Sequence, residues 1–477
     1  MKKNLFRFCP LILVIAFAFA CEDHDDLDVP TDLRVHDFIW KGLNLYYLWQ
    51  PEVNDLSDDR FENQGQLNQW LASRPAPGEF FQALLTDPQT DRFSRIFSDY
   101  TVLEGILNGT TKSNGVDFEL RYVPGSETQV FGWVRYVLPN SDAATKDIER
   151  GDIFYAVDGQ NLNENNYRDL LSADSYTISL ADYDNGNITP NGQTVTLTKS
   201  VLTENPVYET QIFEIGTDKI GYIMYNGFYP GYESHLNQAF AQLKAAGVTQ
   251  LVLDLRYNSG GSIATSARLA SMVTGQFGGQ VFAREQWNPK VQEYLESQQG
   301  GSMVNNFVGT VSNGSAISHL NLDKIYVLTG PATASASELV INGLKPYIEV
   351  IQIGTRTTGK NVGSITLYDS PNFGKDGASD RHKYAMQPIV LKVVNRDGFG
   401  DYQSGILPDY ELPEDLDNLG VLGDLNEPLL ATAVGQITAN GRMIARPPML
   451  NPLRAGDSRS LEPMRSEMYP GNKPQLK

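Results

Sequence analysis

Apolar and polar positions change texture three times along the chain. Between residues 31 and about 110 the spacing is helical: in LRVHDFIWKGLNLYYLW, Phe38, Ile39, Leu43, Tyr46 and Tyr47 recur at helix-like intervals, and QLNQWLAS and EFFQALL repeat the pattern. From about 115 to 205 the apolar runs become short and alternating, VFGWVRYV, DIFYAVDG and TVTLTKSVL, and are separated by Asn, Gly and Asp turns. That pattern predicts a small β-rich module. Between 206 and 412 strand and helix patterns alternate. KIGYIMY precedes SHLNQAFAQLKAAGV, which puts Leu236, Phe240 and Leu243 on one face; then come QLVLDLR, the turn YNSGGS, the helix IATSARLASMV, and the strands KIYVLT and EVIQIG. Wholly apolar strands alternating with helices predict a buried, largely parallel α/β sheet. After residue 413 only EPLLATAVGQI has a helical pattern. The end, NPLRAGDSRSLEPMRSEMYPGNKPQLK, is polar and rich in Pro and Gly, and is expected to be loosely ordered and without chemistry.

The first residues stand apart. Lys2, Lys3 and Arg7 precede LILVIAFAFA, an apolar run of signal-peptide length and too short to span a bilayer comfortably. The small residues of AFA lead directly into Cys21, and this junction resembles the lipobox of bacterial lipoproteins. The resemblance implies cleavage after residue 20, a lipid on Cys21, and an outer-membrane anchor in the envelope of a diderm bacterium. The following EDHDDLD is similar to the acidic tract that sends some such lipoproteins to the cell surface. A plain signal peptide whose cleavage abuts a cysteine is the alternative.

Composition removes several classes. The chain has 477 residues with 41% hydrophobic content, enough for a real core. Its net charge is −19, and loss of residues 1–20 would remove three cations and no acid, so nucleic acid is a poor partner. Cys9 and Cys21 are the two cysteines, so neither a disulfide framework nor thiol catalysis is available to the mature chain. His24, His36, His235, His319 and His382 are scattered without metal-ligand spacing. No metal or cofactor is implied.

The candidate chemistry sits on strand-to-helix turns. An acyl-transfer enzyme needs an exposed nucleophile, a base for its proton and N–H donors for the oxyanion. GPATASASEL follows the apolar KIYVLT, so Ser335 is placed at the carboxyl end of the sheet, where ligands of open α/β sheets bind. DLRYNSGGS ends another buried strand, and paired glycines let backbone approach a carbonyl closely. The N–H groups of Gly260 and Ala336 are the candidate donors; a plain tight turn is the alternative. No histidine has a suitable context. Lys360, in the Gly-containing turn TRTTGKNVGS after EVIQIG, can serve as base if desolvation lowers its pKa.

These segments together resemble the C-terminal processing, or tail-specific, serine peptidases. TASASELVINGLKPYIEVIQIGTRTTGK is similar to their S-A-S-E and T-x-G-K active-site segment, with serine and lysine 25 residues apart, and LVLDLRYNSGG is similar to their oxyanion strand. VLPNSDAATKDIERGDIFYAVDGQNL resembles a PDZ domain through Gly151, Asp152, Ile153, Val157, Asp158 and Gly159. The resemblance spans roughly residues 115 to 412. It implies a crotonase/Clp-protease-like α/β core at 206–412 and a PDZ-like module at 115–205; the residue pattern adds an acidic tether and N-terminal helical region at 21–110 and a terminal helix with a tail at 413–477. Ser335 is then the nucleophile, Lys360 the general base, and Gly260 with Ala336 the oxyanion hole, while Ser337 and Glu338 cap and orient the helix. Gly115, Val116, Asp117 and Phe118 correspond to the peptide-binding loop of the module, and the partners are polypeptide substrates. The sequence departs from the family pattern at Ser364, where many members carry Gln, and at Pro346, where others carry Asp; both are expected to bear on how the lysine is oriented. Asp117 is an unsuitable neighbour for a free C-terminal carboxylate, although binding by strand addition would survive it.

The expected activity is hydrolysis of peptide bonds in unfolded or C-terminally exposed segments. A catalytically silent PDZ-type receptor would have no need of a lysine at dyad spacing. A hydrolase of non-peptide acyl groups would have no need of a peptide-binding module.

Overall fold

A computed structural model of the chain describes residues 29–298, 303–438, 452–461, 468–470 and 474. Cys9, Cys21 and the acidic tract EDHDDLD lie outside them. The helical pattern near the N-terminus gives α1 (Arg34–Tyr46), which buries Phe38, Ile39, Leu43 and Tyr46. Against it pack α2 (Gln64–Leu71), capped by Asn63, and α3 (Pro77–Ala83), which opens on a proline whose fixed φ suits a first turn.

The alternating runs form an antiparallel sheet, β1 (Val116–Tyr122), β2 (Val130–Val137), β3 (Ile153–Val157), β4 (Ser175–Asp184) and β5 (Asn187–Thr198), with α4 (Tyr167–Ser172) lying between β3 and β4 in the chain. The Asp-Gly pair after β3 makes a two-residue hairpin with both φ values positive, 48° and 76°, the geometry that favours this dipeptide.

The remainder is organised around two larger sheets and their helices. In chain order they are β6 (Val207–Ile215), β7 (Asp218–Tyr225), α5 (Glu233–Ala245), β8 (Gln250–Asp254), β9 (Gly261–Ser262), α6 (Ile263–Thr274), β10 (Val281–Trp287), β11 (Val304–Asn306), β12 (Lys324–Thr329), α7 (Ala336–Leu344), β13 (Glu349–Gly354), β14 (Val362–Ser364), β15 (Ile389–Asn395), β16 (Tyr410–Glu411) and α8 (Pro428–Thr438). The main sheet has the order β6-β7-β8-β12-β13-β16, parallel except for the β6–β7 hairpin. An antiparallel sheet, β11-β10-β15-β14, stands beside it.

Side-chain alternation explains why the central strands are apolar throughout. Leu251, Leu253, Ile325 and Val327 face one way, into a core shared with Phe240, Leu269 and Leu339 of α5, α6 and α7. Val252, Tyr326, Leu328 and Ile353 face the other way, against Leu429 and Leu430 of α8 and against Phe131, Trp133 and Ile153 of the β-rich module. Each such side chain contributes about 1.5–3 kcal/mol on full burial. The module is thus mounted on the main sheet by apolar contact.

The charged pair of DLR is the exception within this sheet. Arg256 Nε donates to both oxygens of Asp254 at 3.0 Å, and its Nη1 and Nη2 donate to Glu427 at 2.7 and 3.0 Å. Tyr222 donates to Asp254, and Glu427 Oε2 accepts from Leu430 N at the start of α8. Charges this deep are tolerated because each is paired and hydrogen-bonded; the pair pins α8 to the sheet.

The tail differs from its sequence reading. Its described residues form β17 (Arg454–Asp457), the short helix α9 (Ser458–Leu461) and β18 (Met468–Tyr469). β17 pairs antiparallel with the outer edge of β1, and β18 pairs in parallel with β9. The segment RAGD has no apolar period, and its partner strand lies about 340 residues earlier, so local pattern could not reveal the pairing.

Candidate active site

The turn after β12 carries Ser335 in a conformation that a residue with a side chain rarely adopts, φ 64° and ψ −119°. Such a backbone costs of order 1–3 kcal/mol and persists only where its surroundings hold it. Here Ser335 N donates to Glu338 Oε2 at 2.8 Å, and Thr333 Oγ1 donates to Leu255 O at 2.8 Å. The Ser335 hydroxyl is fully buried and has no hydrogen-bond partner. A buried, unpaired hydroxyl on a strained turn at a helix N-terminus is stabilising for nothing in the fold, which marks it as functional.

The Gly-Gly turn is locked to the serine turn. Asn258 Nδ2 donates to Tyr225 O at 2.7 Å, while Asn258 O accepts from Ala334 N at 3.1 Å and from Ser337 Oγ at 3.0 Å. Ser337 therefore joins two loops rather than reacting. Gly261 has φ 136°, and a Cβ there would lie 2.5 Å from Phe228 O, so only glycine fits. Ala336 N is the first amide of α7, a position with no intrahelical acceptor and at the positive end of the helix dipole. Gly260 N, the other expected donor, is engaged by Asn258 Oδ1 at 2.9 Å.

Lys360 is fully buried, with its Nζ 4.6 Å from the centre of the Phe93 ring. Its turn is fixed by the same carboxylate that holds the serine. Glu338 Oε2 accepts from Lys360 N at 2.8 Å as well as from Ser335 N, and Oε1 accepts from Gly359 N at 2.7 Å and Thr357 Oγ1 at 2.5 Å. Burial pushes the Glu338 carboxyl above its ordinary value, and the four donors oppose that rise. Arg92 Nη2 donates to Gly359 O at 2.8 Å, so the N-terminal region braces the lysine turn from outside. Ser335 Oγ and Lys360 Nζ stand on turns joined through one side chain but are not hydrogen-bonded to each other. Glu338 as the link, with Arg92 and Phe93 behind it, was beyond the sequence reading; the S-x-x-E capping box was its single local signal.

Residues 219–412 match the model of Peptidase family S41, and residues 34–95 match that of the Peptidase S41 N-terminal domain. The chain is a family S41 serine peptidase. It is 26% identical over 441 residues to a carboxyl-terminal-processing protease of Picosynechococcus sp., covering 88% of this chain and 93% of that protein. It is also 26% identical over 413 residues to the chloroplastic carboxyl-terminal-processing peptidase 2 of Arabidopsis thaliana, covering 83% and 72%. The crystal structure of a candidate S41 protease from Bacteroides fragilis is similar with a TM-score of 0.65 at 27% identity, covering 85% of this chain and 98% of that one. The photosystem II D1 C-terminal processing protease shares the fold, with a TM-score of 0.50 at 22% identity and coverage of 85% and 98%.

Two sequence departures of the peptidase can now be placed. Ser364, at the end of β14, accepts from Gln387 Nε2 at 3.1 Å, and Gln387 Oε1 accepts from Thr366 Oγ1 at 2.7 Å. A buried glutamine thus reaches this point from a neighbouring strand. Pro346 lies in the turn after α7, a nine-residue helix, so it is about 13 Å along the axis from Ser335.

The four residues of the peptidase's expected peptide-binding loop lie at the start of β1. Gly115 has φ 95°, and a Cβ there would meet Ser141 Oγ at 2.0 Å. Val116 N donates to Asn114 Oδ1 at 3.0 Å, and Phe118 N donates to Ser458 Oγ at 3.3 Å. Asp117 is buried and ion-paired, accepting from Arg135 Nε at 2.5 Å and Arg459 Nε at 3.3 Å. A cavity of about 390 Å³ remains between this loop and α4, with Ser458 and Leu461 of the tail in its wall.

Proposed function

We propose that Ser335 and Lys360 are the catalytic dyad of an envelope endopeptidase acting on unfolded or C-terminally exposed polypeptide. Ser335 Oγ attacks the peptide carbonyl carbon while Lys360 Nζ takes the hydroxyl proton. The resulting oxyanion is held by Ala336 N and by Gly260 N once the latter leaves Asn258 Oδ1. The C–N bond then breaks as the proton passes to the leaving amine, and water, deprotonated by Lys360, releases the acyl group from Ser335. Lys360 is fully buried, its Nζ held against the Phe93 ring on the turn that Glu338 ties to the serine. The observation that carries the reading is the single Glu338 carboxylate holding the Ser335 and Lys360 turns together under a strained, unpaired serine.

The substrate class follows from the relatives named for carboxyl-terminal processing and from the PDZ-like module mounted on the catalytic sheet. The sequence before Cys21 supports a lipid anchor at that residue in the outer membrane of a diderm bacterium, and the acidic EDHDDLD after it is the one feature that favours the outer face. The silent-receptor reading draws on the Gly260 amide being engaged by Asn258. A serine-directed phosphonate probe separates the two. It should label Ser335, identified by peptide mass, and label it far more slowly in Lys360→Ala. Absence of labelling in folded protein would favour the receptor. Cys21→Ala should abolish incorporation of a fatty-acid analogue.

A further inference from the structure

β1 has a free edge of the kind that adds an extended peptide, and that edge is already filled by the chain itself. Tyr122 N donates to Leu453 O at 2.8 Å, and the ladder continues through Arg454 opposite Arg121, Gly456 opposite Leu120 and Asp457 opposite Glu119. The tail then turns through α9 and delivers Arg459 into a closed socket, where the side chain is 4% exposed. Its Nε donates to Asp117 Oδ2, its Nη1 to Ser259 Oγ at 3.0 Å and Asn226 O at 3.2 Å, and its Nη2 to Tyr136 OH at 2.8 Å, with Glu204 at 4.0 Å. One guanidinium from the tail therefore ties the module's expected peptide loop to the residue beside Gly260.

Further on, Met468 is fully buried in β18, which lies in parallel register with β9 directly after the Gly-Gly turn. Its carbonyl accepts from Ser364 Oγ at 3.4 Å in β14, the strand that follows Lys360. Tyr469 OH donates to Leu107 O at 3.1 Å, and Pro474 O accepts from Tyr46 OH at 3.3 Å. The described parts of the tail thus lie along the module edge, beside the Gly-Gly turn and β14, and against the N-terminal helices. That is the path an extended substrate would need.

We propose that residues 454–461 and Met468–Tyr469 of the tail are an intramolecular ligand of this path, anchored by Arg459, and that they hold the peptidase self-blocked until a polypeptide displaces them. The inference rests on the Ser335–Lys360 reading for its effect on activity but not for its effect on binding. The socket takes a cation between Asp117 and Glu204, so a displacing segment binds best when it carries an arginine at the matching position. A tethered ligand acts at an effective concentration of about a millimolar, so a tail that binds in trans at about 10–100 μM suppresses activity about 10- to 100-fold.

The test uses the full chain with a specific protease site inserted between residues 445 and 446, folded first and then cut. Severing the tail should raise kcat/KM on an unfolded reporter by tenfold or more, and synthetic peptide 452–477 should restore inhibition competitively, with the Arg459→Ala peptide at least tenfold weaker. In parallel, labelled peptide 452–477 should bind the severed chain carrying Ser335→Ala, and an unfolded reporter should compete it off. If the severed protein is inactive but this competition holds, the peptidase reading fails and the tail inference stands. Should the released tail remain bound, uncut Arg459→Ala replaces it, and its kcat/KM should rise by tenfold or more. Unchanged activity with no binding in trans overturns the proposal. So does rapid removal of the tail by wild type but not by Ser335→Ala, since a segment cut at once is a substrate and not a standing block.

Discussion

Glu338→Gln isolates the link between the Ser335 and Lys360 turns. The carboxylate accepts four hydrogen bonds from fully buried surroundings, two at each oxygen. A glutamine can keep the pair at Oε2, from Ser335 N and Lys360 N, only by turning its NH2 group towards Thr357 and Gly359. Thr357 Oγ1 already accepts from Ile406 N and can accept once more, but Gly359 N can only donate and is left unpaired. One unpaired buried N–H costs about 1–3 kcal/mol, and losing the charge weakens each surviving bond by about 1 kcal/mol. The assembled site is therefore destabilised by about 3 kcal/mol, or about 100-fold in kcat/KM. The assay is cleavage of an unfolded reporter, beside circular dichroism and a melting curve to show that the variant is folded. A folded Gln variant within threefold of wild type would refute the linking role. The pH profile carries a second mark. Burial raises the folded pKa of Glu338 above its usual 4.5, so the acid limb of kcat/KM that reports loss of its charge lies above 4.5. For stability the sign is opposite: the folded state holds the extra proton, so the contribution is present below pH 4.5 and is lost as pH rises through the folded pKa.

Ser335→Gly should abolish cleavage yet melt higher than Ser335→Ala, because glycine relieves a φ of 64° worth about 1–3 kcal/mol; equal melting temperatures would mean the turn is not strained. Gly261→Ala should lose both activity and thermal stability, since its Cβ would lie 2.5 Å from the Phe228 carbonyl oxygen; unaltered kinetics would count against a fixed oxyanion turn. Burial alone would raise the Glu414 carboxyl, but Arg150 and Arg256 hold it at about 2, so its contribution is present above pH 4.5 and is lost as pH falls towards 2. Glu414→Gln should then lower stability by about 3 kcal/mol at pH 7, with the gap in melting temperature closing over that acid window.

Much of this was legible in the chain because the signal was local. KIYVLT and QLVLDLR are apolar at every position since both faces of their strands are covered, and the Asp-Gly after DIFYAV needs two positive φ values that few other pairs tolerate. Ser335, Gly260 and Lys360 fall on turns that strand-to-helix alternation already marks. What stayed hidden depends on partners far along the chain. Glu338 reads as a helix cap, and that it also receives Lys360 N appears only when β13 returns beside β12. Asp117 reads as a poor neighbour for a carboxylate, whereas in the fold it belongs to a buried cluster with Arg135 and Arg459. The tail reads as loose because Pro, Gly and charge dominate it. The strands among its described residues come from edges offered by β1 and β9, which no periodicity in the tail itself records.

The most direct test of the central claim is cleavage of an unfolded reporter by the chain lacking residues 1–21, beside Ser335→Ala and Lys360→Ala. The dyad predicts that wild type cleaves, and that both variants, folded by circular dichroism, fall by about a thousandfold or more. Cleavage that survives either substitution would contradict it.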